Sequence, residues 1–215
     1  MFIARALSLA GVPCGHESLF TGRSADPIPD GTQGDASWLA APFLSRLPKD
    51  FMIFHQTRDP IKVILSYVAE GFFRNLSYER PFWKHIAKRI AGIPPSGQYR
   101  LICLVRSTLP LVFAEDTELK RAARFWIEWN QLVRATALES DLDYLHYQVE
   151  SIDQQLLGEL ISRIGVDARE VRDSLGAVPK DLNMRPRRES FAMDELGDCR
   201  DDLIISALSY GYILE

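Results

Sequence analysis

Hydrophobic residues follow two spacings along the chain. Near the start, Phe2, Ile3, Ala6, Leu7 and Ala10 recur every three or four positions, which predicts an amphipathic helix stopped by Gly11. "VPCGHE" is short and predicts a strand ending at His16-Glu17. "SADPIPDGTQGD" has the proline, glycine and aspartate content of a loop. "ASWLAAPFLSRL" predicts a helix capped by Asp35 or Ser37. Residues 51–55 predict a buried strand, and residues 60–73 a helix with Asp59 as cap and Pro60 in its first turn. Within residues 76–113, "YRLICLV" fits a strand and a buried helix equally. Residues 119–138 predict a long amphipathic helix, "LDYLHYQVE" a strand, residues 152–164 another helix, and residues 195–209 a closing helix. Strands alternating with helices predict an α/β fold with a mostly parallel sheet. No internal repeat interrupts this order.

Composition narrows the chemistry. The chain's 215 residues are enough for one large domain with a real core, or at most two small ones, and 47% hydrophobic and 25% charged residues are ordinary for a globular protein. The net charge of −4 supplies no basic field for nucleic acid. No apolar run reaches membrane-spanning length and no Lys/Arg-led signal segment is present, so a cytoplasmic protein is expected. Cys14, Cys103 and Cys199 lie far apart, which predicts reduced thiols rather than a disulfide framework. The four histidines lack zinc-ligand spacing, so no metal is expected.

The stretch "FMIFHQTRDPIKVILSY" concentrates the candidate chemistry. Ligands in open α/β sheets bind beyond the carboxyl ends of strands. Arg58 falls at such an end, where a guanidinium can hold phosphate in a bidentate fork. Lys62, Ser66 and Glu70 recur every four residues and share a helix face, so the Ser66 hydroxyl can donate to the same phosphate. The same residues also read as a plain helix start with a surface arginine and a filler serine.

"RDPIKVILS" resembles the 3′-phosphate-binding motif of the PAPS-dependent sulfotransferases, an Arg-x-Pro turn followed by a helical serine. "GVPCGHE" resembles the second-strand region in which bacterial carbohydrate sulfotransferases carry an acidic residue near the acceptor. "SWLAAPFL", "RAARFWIEWNQLV" and "YLHYQVESIDQQLLGELISRIGV" are similar to bacterial members, so the resemblance spreads over most of residues 1–175. Only the Arg–Ser motif is specific. The resemblance implies a single sulfotransferase-like domain over residues 1–215 with a three-layer P-loop-like fold, a mostly parallel central sheet flanked by helices. It implies PAPS or PAP as co-substrate, and a sugar or small-metabolite alcohol as acceptor. Arg58 and Ser66 would grip the 3′-phosphate. Glu17 would be the catalytic base, with His16 as its alternative, since an imidazole titrates near neutrality. A polar strand end is the competing reading of that pair. Asn183, Arg185, Arg187 and Arg188 would form a late basic loop over the nucleotide, or a solvated loop.

One family signature is missing. The loop that wraps the 5′-phosphosulfate, between first strand and first helix, has no counterpart here. The expectation is a chain lacking the first strand and loop, some ~20 residues. Either the start is misassigned or the loop is lost. This 215-residue chain is then expected to bind PAPS poorly and to transfer sulfate slowly or not at all. Two other readings stay open. One is another P-loop transferase such as a nucleotide kinase relative, although no Gly-x-x-x-x-Gly-Lys-Ser/Thr turn is visible. The other is a non-catalytic scaffold homologue that self-associates or takes up a partner strand. His55 and Thr57 line the cleft or pack. Phe125, Trp126 and Trp129 read as core, and Asn130 as a structural hydrogen-bonding residue. Tyr78 and Trp83 read as acceptor-pocket or surface residues.

Overall fold

The computed structural model describes residues 2–9, 11–17, 19–20, 34–75, 97–166 and 190–214. Among these the chain is mixed α/β. Its helices are α1 (Phe2–Leu9), α2 (Pro60–Ala69), α3 (Phe72–Asn75), α4 (Gly97–Thr108), α5 (Glu118–Glu139), α6 (Gln154–Arg163) and α7 (Cys199–Ser209). Its strands are β1 (Cys14–His16), β2 (Gly34–Ala36), β3 (Met52–Thr57) and β4 (Asp143–Gln148). They form two parallel pairs, β1 with β2 and β3 with β4. In the second pair Met52 lies opposite Asp143, His55 opposite His146 and Thr57 opposite Gln148. No described helix is long and apolar enough to cross a membrane.

The chain divides into two compact units. The first comprises Met1–Thr57 and Val133–Arg185, the second Arg58–Leu132 and Pro186–Glu215. In the first unit the alternation of β3 and β4 separates two faces. Phe54, Leu145 and Tyr147 face an aliphatic cluster built from Ile3, Ala6 and Leu7 of α1 and Leu157, Leu160 and Ile161 of α6. Each fully buried leucine or isoleucine contributes about 1.5–3 kcal/mol. In the second unit the core contains an aromatic cluster among aliphatic residues such as Ile64, Val112 and Leu203. Phe125 of α5 stacks on Trp129 at 5.1 Å and meets Tyr67 and Phe73 edge-on, both at 5.5 Å. Phe125, Trp126 and Trp129 are buried, as their helical spacing predicts.

Three expectations need correction. "ASWLAAPFLSRL" forms a 3-10 helix over Trp38–Arg46, because Pro42 inside it has no N–H to donate. Ser37 is its cap, whereas Asp35 accepts from the backbone of Leu19. The helix expected over 60–73 ends at Ala69, because Gly71 adopts the left-handed region (φ 59°) before α3 restarts. The closing helix is likewise split: a 3-10 turn over Met193–Leu196 precedes α7, with Gly197 at φ 52° between them. "YRLICLV" resolves as helix, within α4.

Candidate functional site

The connection between β3 and α2 is two residues long. Arg58 follows the last residue of β3, and Asp59 caps α2. The Asp59 carboxylate accepts from the amides of Ile61 at 2.8 Å and Lys62 at 3.2 Å. Pro60 at the first helical position has no N–H to satisfy. The positive end of α2 is thus occupied by the chain's own carboxylate. An incoming anion must be held mainly by side chains. The Lys62 ammonium, which is exposed, lies 3.7 Å from the half-buried Asp59 carboxylate, a long surface contact that contributes little.

Arg58 is half-buried, and its carbonyl accepts the indole N–H of Trp126 at 3.1 Å. Ser66 is half-buried too, on the α2 face that carries exposed Lys62 and Glu70. Ile64 and Leu65 take the buried side. At 1.5 Å per residue, Ser66 stands about 9 Å along the helix axis from Pro60. Among the described residues no hydrogen bond joins Arg58 to Ser66. A group that touches both has to bridge them.

His16 and Glu17 belong to the first unit. His16 ends β1 and is exposed, and Glu17 is exposed beside it. The Glu17 backbone is left-handed (φ 54°), a conformation that costs a non-glycine residue roughly 1–2 kcal/mol. Its amide donates to the carbonyl of Ala36 at 3.3 Å, extending the β1–β2 ladder by one bond. Across the pair, burial raises the Cys14 thiol, and the Asp35 charge raises it further. Asn183, Arg185, Arg187, Arg188, Tyr78 and Trp83 lie outside the described residues.

The second face of β3–β4 carries a polar cluster whose pairing the sequence did not disclose. His55 Nδ1 lies 2.7 Å from the Tyr144 hydroxyl, and the Thr57 hydroxyl 2.8 Å from His146 Nε2. The two imidazoles meet edge-on at 5.6 Å. His55 and Thr57 are 5% and 2% exposed, so they pack rather than line an open surface. Burial lowers the His146 pKa, and the positive charge of Arg134 lowers it further. A neutral imidazole there suits a hydrogen bond with a hydroxyl. These are diagonal cross-strand pairs that lock register.

A second polar cluster, in the other unit, joins half-buried Glu115 and Arg124 to buried Cys199 and exposed Asp202. The Cys199 thiol donates to Glu115 at 2.9 Å, and Arg124 bonds Glu115 at 3.0 Å and Asp202 at 2.7 Å. Burial and the Glu115 bond push the thiol pKa up to about 12, against the nearby Arg124. Cys199 is therefore an unreactive thiol that closes a polar network. All three cysteines are unpaired.

Comparison of the chain with protein-family models, curated proteins and solved structures finds no match.

Proposed function

We propose that the chain is a sulfotransferase homologue whose Arg58 and Ser66 hold the 3′-phosphate of PAPS or PAP, with a hydroxyl-bearing sugar or small metabolite as acceptor. The observation that carries this reading is the β3–α2 connection. A half-buried arginine follows a parallel strand directly, and an aspartate-capped helix then presents Lys62 and Ser66 on one face. A guanidinium fork and a serine hydroxyl together supply the donors that a phosphate dianion accepts. The reading entails a three-layer P-loop-like arrangement. Glu17, or His16 beside it, is the proposed proton acceptor for the attacking hydroxyl. Their exposure leaves both open to an acceptor.

Adenosine 3′,5′-bisphosphate tests the reading without needing turnover. A ligand selective for the folded state, at a hundredfold excess over Kd, stabilises by about 2.7 kcal/mol. For a chain of this size that raises Tm by about 5–10 °C. Arg58→Ala is expected to remove most of the rise. A wild-type melting curve unmoved by saturating bisphosphate would dismiss the proposal.

A further inference from the structure

We propose that Trp126 is a positioning residue for Arg58, fixing the backbone from which the guanidinium reaches the phosphate. The inference rests on the reading of Arg58 as a phosphate anchor.

Arg58 stands in a connection too short to have a strand or helix of its own. Its carbonyl lies outside both the β3 ladder and the α2 hydrogen bonds, and the indole N–H of Trp126, 68 residues away in sequence, supplies its partner at 3.1 Å. Trp126 itself has little freedom. It is 3% exposed, its ring meets Tyr210 at 5.9 Å and Tyr212 at 6.3 Å, both edge-on, and its own carbonyl accepts from Asn130 at 2.7 Å. On the other side of the Arg58 peptide, the Asp59 side chain is docked on two amides of α2. The peptide plane between Arg58 and Asp59 is thus held at both ends. That fixes ψ of Arg58, and with it the direction in which its side chain leaves the backbone.

A bidentate guanidinium–phosphate pair requires a defined approach angle. An arginine side chain also loses roughly 2 kcal/mol of rotamer entropy when it is ordered. A fixed root narrows the search before ligand arrives, and preorganisation of this kind appears as affinity. Tyr210 and Tyr212 extend the brace to the segment after α7. The placement of Arg58 therefore depends on residues more than 150 positions downstream.

The test is calorimetric titration of adenosine 3′,5′-bisphosphate into four versions of the 215-residue chain: wild type, Trp126→Phe, Arg58→Ala and the double variant. Phenylalanine keeps an aromatic ring but loses the N–H donor together with the second ring of the indole, so the Arg58→Ala background is needed to separate the lost hydrogen bond from lost packing. Trp126→Phe is expected to weaken binding roughly 5- to 10-fold, the equivalent of one hydrogen bond. In the Arg58→Ala background it is expected to have no further effect. Tyr212→Leu, which removes one bracing ring and leaves the N–H in place, is expected to weaken binding about twofold and only when Arg58 is present. Wild-type affinity in Trp126→Phe overturns the inference. So does an equal loss with and without Arg58, which marks general loosening of the unit. A wild type that does not bind the bisphosphate removes the anchor reading itself, a pattern distinct from both.

Discussion

Two strands of the same parallel pair hand over to helices in different ways. After β3 the chain takes two residues, Arg58 and Asp59, to enter α2. After β4 it makes a 3-10 turn over Val149–Ser151 and enters α6 from Asp153. Both helices are capped alike: Asp59 accepts from Ile61 at 2.8 Å, and Asp153 accepts from Leu156 at 2.8 Å. Cap chemistry therefore does not separate the junction proposed to bind phosphate from a structural one. The surrounding side chains do. The first junction carries Arg58, Lys62 and Ser66. The second carries an exposed Glu150, which repels anions, and Ser151 spends its hydroxyl on Gln148 at 3.2 Å.

The equivalence of the two helices as packed elements can be broken first, by the largest effect. Leu160→Ala in α6 and Ile64→Ala in α2 each remove a fully buried side chain and are expected to lose about 2–5 kcal/mol in urea unfolding. A loss under about 1 kcal/mol at either position would make that helix peripheral. The caps sharpen the comparison next. Asp59→Ala and Asp153→Ala should each lose about 1 kcal/mol. Only Asp59→Ala should also change bisphosphate binding, since Asp59 both holds the peptide that follows Arg58 and occupies two amides that an anion could take. A change of binding in Asp153→Ala, or none in Asp59→Ala, would reverse the assignment of roles.

The smallest expected effect concerns the strands themselves. Burial and Arg134 hold the His146 pKa below its ordinary value. The unfolded chain therefore takes up its proton first, near pH 6.5. Stability should be full above that pH and decline as the pH falls through and below it. Urea midpoints at pH 7.5 and 5.5 check this, with His146→Gln expected to shrink the difference. An equal decline in wild type and variant would assign the acid sensitivity to other groups.

Much of the fold could be read from the sequence because it is written in local periods. The three- and four-residue spacing of α1, α5 and α6 needs no partner to be recognised, and Asp59-Pro60 announces α2. β2 could not be read: three residues, Gly34, Asp35 and Ala36, are too few to show alternation and continue a glycine- and aspartate-rich loop. Pro42 turned an expected α-helix into a 3-10 helix, and Gly71 and Gly197 ended helices whose apolar spacing ran on past them. In the candidate site, Arg58 and Ser66 were legible as residues near one helix start. Their support was not. Trp126 reaches the Arg58 carbonyl from 68 residues away, and His146 reaches Thr57 from 89. Such pairs depend on packing and register, which no local window contains. Trp126 and Asn130 did carry a signal, one helical turn apart on the buried side of α5, but it identified only core.

The burial of Cys199 has a kinetic meaning. Thiol reagents attack the thiolate, and at neutral pH a sulfur bonded to Glu115 and 1% exposed offers almost none. Cys103 is exposed on α4 in the same unit. Alkylation at 199 thus waits for the second unit to open, while alkylation at 103 does not. The lag between the two modifications measures how often that unit breathes.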